Sequence, residues 1–417
     1  MKQRYSIWSL LRGSLSQHEA WPPAWRDTEP RGKYDAIIVG GGGHGLATAY
    51  YLAKNHGMAN VAVLEKGWLG GGNTGRNTTI VRSNYFFPES ARLYDFSLKL
   101  YENLSSELNF NIMLSQRGVI TLAHSRHDAE IMARAANAMH MNGIDAELLG
   151  REAVIERVPL LDTSTAARFP VWGGICQARA GCARHDAVAW GYARAASGLG
   201  VDIIQNCEVL GFEYQGSRAV GVKTTCGSIR SDRIGIAAAG HSSVLAALAG
   251  FRLPVTSYAL QAMVSEPVKP ILDTVVLSPA TAAYVSQSDK GEMVMGAGLD
   301  LFPSYAQRGS FAGTQRTIAG VLELFPSLGR LPLLRQWAGI VDVVNDSSPI
   351  IGATPVDGIF INCGWGTGGF KAIPAGGWLF AHILATGRNH DLAEPFQLER
   401  FVTGRLIDEA GASGIAH

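Results

Sequence analysis

The chain is short of charge. Only 17% of its 417 residues are Asp, Glu, Lys or Arg, against 47% hydrophobic, and the two signs nearly cancel at a net +1. That balance argues against nucleic acid or an anionic membrane as the main partner. Cysteine is scarce as well. Cys176, Cys182, Cys207, Cys226 and Cys363 form no paired framework and no metal-site spacing, so they read as reduced thiols of a cytosolic protein. A secretory signal is missing, because Arg4, Arg12, Glu19, Arg26 and Asp27 interrupt the first 33 residues. Long apolar runs are missing too. The best candidate, 234–251, is broken by Gly235, Gly240, His241, Ser242 and Ser243 and reads as a strand, a turn and a capped helix. No internal repeat is visible. The expectation is a soluble cytoplasmic protein long enough for two joined domains and a substantial core.

Glycine, by contrast, is plentiful: 49 residues, gathered in 40–45, 70–75 and 364–369 rather than in a low-complexity tract. Such clusters are expected where backbone must approach a ligand. The first lies in the most informative stretch. Asp35–Val39 is a short apolar strand; Gly40, Gly42 and Gly45 follow; a helix runs to about Asn55 with Gly57 as its C-cap; and Val61–Leu64 leads to Glu65. In this unit Gly40 permits the tight turn, Gly42 lets a pyrophosphate approach and Gly45 lets the helix lie close to the strand. The helix start directs free N–H groups and a positive dipole end at the phosphates, and Glu65 stands where a ribose hydroxyl needs an acceptor. Both strands, the helix and the acid in register make this an adenine-dinucleotide site rather than a chance glycine turn.

Residues 1–33 form a leader with Trp8, Trp21 and Trp25 among charges and the Pro22–Pro23 pair. Two placements are open to it, across its own domain or against another subunit. Helical spacing appears at Leu93–Leu104, 127–141, 186–199, 313–324 and 375–385. Strands are expected at 118–123, 145–149, 201–204, 207–212, 233–239 and 359–363, with β-type alternation through 254–335. The fold expected is α/β plus β-rich. A discontinuous Rossmann-like dinucleotide-binding domain (34–118, 167–253 and 337–417) carries an inserted mixed α+β substrate domain (119–166 and 254–336).

A second glycine turn so far from the first resembles the FAD-dependent D-amino-acid and sarcosine oxidase superfamily. The correspondence runs in order through Asp35–Gly45, Glu65, Arg82, 202–212, 237–240, Pro349–Gly352 and Gly364–Lys371. Longer runs are similar to the β subunits of heterotetrameric sarcosine oxidases: Val39–Gly57, Asn60–Trp68, Ser115–Gly118, Arg184-His185-Asp186, Asp202–Glu208 and Asn362–Lys371. The leader and 301–336 carry less of it.

That resemblance implies oxidation of sarcosine to glycine, with hydrogen peroxide and methylenetetrahydrofolate as further products. It also implies a non-covalent FAD, a covalent FMN at the border with the α subunit, and α, γ and δ partners carrying the NAD and tetrahydrofolate sites. Implied cofactor contacts are Gly40, Gly42, Gly43, His44, Gly45, Glu65, Lys66, Asn73, Thr74, Arg76, Asn77, Thr78, Val209, Gly240, Gly364, Gly366, Thr367, Gly368, Gly369 and Lys371. The N–H groups of 366–369 are expected to stabilise charge on the reduced flavin. Alone, Arg82 would read as a surface arginine and Lys371 as an exposed lysine at a helix start. Within the pattern they match a pair that binds the substrate carboxylate, a task suited to a planar guanidinium. His185 matches the histidine bonded to FMN, for which a neutral imidazole is a competent nucleophile. His44 is assigned to structure or to the phosphate side.

Two absences refine the reading. Single-chain sarcosine oxidases attach FAD through a cysteine that Arg335–Asp342 lacks, and they carry an oxygen-activating lysine that Glu292–Gly296 lacks, although Lys290 is close. FAD is therefore expected to be non-covalent and to pass electrons to FMN rather than to oxygen. Two alternatives remain: a stand-alone flavoenzyme for another N-methyl or D-amino acid, and an FAD-binding assembly subunit.

Overall fold

The computed structural model describes residues 6–19, 23–164 and 166–407, with the side chain of Ala297 left aside. Trp21 and Pro22 lie outside the described residues. The run Ala36–Val39 is buried at every position, as is Val61–Leu64, which is the pattern of a sheet covered on both faces. These strands sit inside a six-stranded sheet ordered Ile350–Ala353, Ile359–Cys363, Ile234–Ile236, Ala36–Val39, Val61–Leu64, Asp202–Ile204. Pairing is parallel except at the edge, where Ile350–Ala353 turns back along Ile359–Cys363. Ala36, Ile38, Val61 and Val63 face the helices Gly43–His56, Pro88–Leu108, His185–Gly198 and Ile373–Thr386. Ile37, Val39, Ala62 and Leu64 face the other way, onto a three-stranded sheet (Val209–Gln215, Arg218–Thr224, Gly227–Arg230) and the helix Ser242–Leu248.

The second large sheet has eight strands, ordered Leu333–Val344, Val255–Pro267, Glu292–Pro303, Ala283–Gln287, Val275–Ser278, Val119–Ala123, Gly173–Gln177, Glu147–Gly150. All its pairs are antiparallel except Val275–Ser278 with Val119–Ala123. The helix Phe311–Leu324 closes one core on this sheet and Arg126–Met141 another. Among the described residues no helix is long and apolar enough to cross a membrane.

Several expectations need adjusting. The helices expected at 45, 313 and 375 begin two residues earlier, at Gly43, Phe311 and Ile373. Gly57 does cap its helix, in a left-handed conformation (φ 65°) with its N–H donated to Leu52 O. Ser242 opens its helix with no side-chain cap, because a tight turn over Ala239–His241 feeds directly into it. The strands Arg218–Thr224 and Gly227–Arg230 had no expected counterpart. Their alternation is interrupted by glycines at 216, 221 and 227, and pairing with Val209–Gln215 sets them in place. Two domain borders also move. Gly173–Gln177 pairs within the eight-stranded sheet, so the crossover follows it rather than falling at 166. Leu333–Val344 stays in that sheet past residue 336, paired along its length with Val255–Pro267.

Of the leader, Arg26 to Tyr34 lies over the edge strand of its own Rossmann-like sheet. Asp202, almost wholly buried, receives Arg26 (3.3 Å), Arg31 (2.6 Å) and the Tyr34 hydroxyl (3.0 Å). The helix Ile7–Leu15 buries none of its residues and leaves Ile7, Trp8, Leu10, Leu11 and Leu15 exposed.

Candidate active site

A cavity of about 530 Å³ opens where the C-terminal edges of Ala36–Val39 and Val61–Leu64 meet the strand Leu333–Val344 and the glycine turn after Ile359–Cys363. The first turn is shaped for backbone contact. Gly40 has φ 118°, and a Cβ there would lie 2.4 Å from Ala237 O. A Cβ on Gly45 would lie 2.0 Å from Gly40 O, so only glycine lets helix and strand approach this closely. Glu65 ties the turn together: one carboxylate oxygen accepts from Gly41 N–H (2.8 Å) and the other from Gly67 N–H (2.9 Å). Thr74 Oγ1 accepts from Gly43 N–H at 2.9 Å.

The helix Gly43–His56 packs against Ile373–Thr386 through glycine. A Cβ on Gly377 would stand 2.4 Å from the Ala47 methyl, and one on Gly376 2.7 Å from His44 Nδ1. His44 completes this join. Its Nε2–H donates to Gly369 O at 2.8 Å and its ring stacks on Trp365 with centroids 4.6 Å apart. Burial lowers the imidazole from 6.5 to about 4, so the ring is neutral at ordinary pH, and its buried Nδ1 has no partner among the described residues. The histidine of the first turn thus fastens that turn to the second.

Arg82 and Lys371 come from opposite ends of the chain and meet on this wall. Both are buried, and Tyr85 lies between them: the Arg82 guanidinium is 5.1 Å from its ring centroid, and Lys371 Nζ is 3.5 Å from its hydroxyl. Arg82 also donates to Asn84 Oδ1 at 2.5 Å, and Lys371 to Thr367 O at 3.2 Å. Burial, and secondarily the neighbouring Arg82 charge, holds the Lys371 amine well below its usual value. Lys371 is therefore no exposed lysine.

Gly40, Gly42, Gly43, His44, Glu65, Lys66, Asn73, Thr74, Arg76, Asn77, Thr78, Arg82, Val209, Gly240, Gly366, Thr367, Gly369 and Lys371 all line the cavity. Gly45, Gly364 and Gly368 stand behind it. Gly45 packs on Gly40, Gly364 adopts φ 74° beneath the second turn, and Gly368 faces the Tyr94 hydroxyl. Asn73 lines the wall, but its amide is committed to both backbone groups of Ile340. Of the N–H groups expected to face a cofactor, Gly368's is already engaged, bonding Trp365 O at 2.7 Å, and Gly366's is turned towards the Asp342 carboxylate.

His185 lies outside this cavity, at the first position of the helix His185–Gly198. A thin ribbon separates the two places. Thr79, on the cavity wall, accepts from Ala183 N–H at 3.0 Å, and Ile80–Val81 pairs with Gly181–Cys182. Burial holds the His185 imidazole below its usual value, and its buried Nδ1 has no partner among the described residues.

Sequence reasoning missed Asp342, Tyr85 and Trp365. Asp342 alone offered a signal: one acid inside the apolar run Ala338–Val344. It is almost fully buried on the cavity wall and accepts from Gly364 N–H at 2.6 Å.

A glycine cradle that a Cβ would fill, a helix start facing it and a carboxylate at the end of the second strand suit a dinucleotide; the long, largely apolar cavity beyond suits an isoalloxazine. The comparisons agree with this class. Residues 35–383 match the family described as "DAO: FAD dependent oxidoreductase". A Rhodobacter capsulatus protein named "Sarcosine oxidase subunit beta" is 52% identical over 415 residues, covering 100% of both chains. An Arthrobacter protein of the same name is 54% identical over 393 residues, covering 94% of this chain and 97% of the relative. Among solved structures, the L-proline dehydrogenase from P. horikoshii superposes with a TM-score of 0.85 at 27% identity, covering 90% of this chain and 100% of that one. This chain belongs to the FAD-dependent oxidoreductase family and, within it, to the sarcosine oxidase β subunits.

Proposed function

We propose that the chain is the amine-oxidising subunit of a sarcosine oxidase complex, removing hydride from the methyl carbon of N-methylglycine. The meeting of Arg82 and Lys371 beside Tyr85, on the wall of the cavity that also holds the glycine cradle, carries this reading. Bound FAD supplies the hydride acceptor and is held without a covalent link by Gly40, Gly42, Gly43, Glu65 and the second glycine turn. Arg82 offers the substrate carboxylate two parallel hydrogen bonds. Lys371, whose amine burial and the Arg82 charge hold well below its usual value, accepts the proton of the substrate ammonium. The substrate is then held as the free amine that hydride loss requires, and the new ammonium of Lys371 pairs with the carboxylate. Holding the methyl group in one orientation contributes most of the rate.

The FMN site belongs to the same proposal. A buried, unpartnered Nδ1 on a neutral His185, one ribbon away from the cavity wall, supports covalent attachment there. The group supplies a second electron acceptor and reaction with oxygen to give hydrogen peroxide. The α, γ and δ subunits complete the assembly in the cytoplasm, with NAD and tetrahydrofolate on partner subunits.

A second reading is oxidation of another secondary amino acid, which the likeness to an L-proline dehydrogenase favours. Anaerobic mixing separates the two. Sarcosine should bleach the FAD absorbance of the purified complex faster than proline at equal concentration, and a peptide containing His185 should carry the mass of FMN. Faster bleaching by proline would reassign the substrate, and an unmodified peptide would remove the FMN assignment.

A further inference from the structure

Asp342 is a carboxylate that the proposed chemistry leaves without a task. It sits near the end of the strand Leu333–Val344, directly beneath the second glycine turn, with almost none of its surface exposed. Gly364 N–H reaches it at 2.6 Å, and the N–H groups of Trp365 and Gly366 are turned towards it. The turn is therefore folded around this side chain. Gly364 and Gly366 hold φ values of 74° and 51°, a region that favours glycine, and Gly366 stands on the cavity wall beside Thr367 and Lys371.

We infer that Asp342 is a positioning residue that shapes the second glycine turn and takes up one proton when negative charge enters the cavity. The inference rests on reading the cavity as a flavin site. An ionised carboxylate suits an oxidised, uncharged ring beside the turn. Two electrons with one proton leave a reduced ring carrying one negative charge, and a second proton from solvent then converts Asp342 to its neutral acid. Gly364 N–H keeps an acceptor in either state, so the turn holds its shape while its charge changes.

Burial raises the Asp342 carboxyl to about 6, against the opposing pull of the backbone donors. The group is thus poised to switch just above that pH. On the sheet side stands Cys363, whose thiol is held far up by burial and by Asp342, with the Arg400–Asp346 ion pair beyond. On the cavity wall stand His44, Arg76, Arg82, His241 and Lys371. Lys371 and the imidazoles of His44 and His241, all held below their usual values by burial, are rivals for the same proton.

The test is a dithionite titration of the FAD-loaded complex between pH 5 and 8, counting protons with an indicator dye. Infrared difference spectra of the wild type are recorded alongside. The wild type and Lys371→Met should take up as much as one more proton per two electrons than Asp342→Asn. The excess should fade below pH 6, and a protonated-carboxyl band should appear on reduction. Equal proton counts in wild type and Asp342→Asn, or a wild-type spectrum without that band, would overturn the inference while leaving the flavin reading intact. A complex purified without any flavin would overturn both.

Discussion

His44→Phe isolates the physical role of the join between the two glycine turns. The substitution keeps a flat ring against Trp365 (4.6 Å between centroids) and deletes the Nε2–H···O bond to Gly369, whose carbonyl retains Ala372 N–H at 3.2 Å. Losing that bond costs about 1 kcal/mol, partly offset because the unpartnered Nδ1 leaves the interior with it. Near pH 7.5 the variant and wild type should therefore agree to within about 1 kcal/mol. Acid changes the comparison. The folded histidine titrates near 4 and the unfolded one near 6.5, so below 6.5 the unfolded chain binds more protons. The stability contributed by neutral His44 is complete above 6.5 and drains away as pH falls towards 4, a loss of about 2.5 kcal/mol by pH 4.5. Phenylalanine has no such term. Urea unfolding followed by tryptophan fluorescence should show the two stability curves crossing between pH 7.5 and 4.5, with His44→Phe the more stable at the acid end. Asp342 titrates in the opposite sense but is common to both proteins and drops out of the difference. Parallel curves would mean that His44 is not held neutral by burial, and the account of the join would fail.

Three further outcomes follow from the geometry. Gly45→Ala places a methyl 2.0 Å from Gly40 O, so the chain should unfold at lower urea by about 2–4 kcal/mol and purify without FAD, read from its absorbance. Asp202→Asn removes the charge that gathers Arg26, Arg31 and Tyr34, and should release the leader to proteolysis before residue 34 while the flavin spectrum is unchanged. Because Lys371 is depressed by burial and by Arg82, a carboxylate inhibitor such as acetate should bind with proton uptake, more weakly as pH rises. Lys371→Met should flatten that dependence and weaken binding about 10- to 100-fold, measured by perturbation of the flavin spectrum.

How much of this could be read from the residues depended on sequence distance. The strand–turn–helix–strand unit from Asp35 to Glu65 is contiguous in sequence, so its pattern can be read within one stretch. Its strands, C-cap and glycines stand where the pattern placed them, and its helix starts two residues early. Helices with apolar spacing, such as Pro88–Leu108 and Arg126–Met141, were legible for the same reason. The bond from His44 to Gly369 spans 325 positions, and that from Asn73 to Ile340 spans 267, so nothing near either partner announces it. The strands at 218–230 went unread because glycines interrupt their alternation and pairing, rather than propensity, holds them. Asp342 was visible as a letter but not as a contact. Its meaning comes from the Gly364 turn folded over it.

The glycine-to-alanine seam between Gly43–His56 and Ile373–Thr386 has a consequence for biosynthesis. The segment that cradles the phosphates leaves the ribosome early, yet its shape is completed by a helix translated more than 300 residues later. A nascent chain halted before Gly369 offers an open half-cleft in which His44 has no carbonyl to grip. Chains truncated upstream of that helix should therefore purify without flavin absorbance, and a truncated chain that keeps its flavin would show that the seam is not needed to hold it.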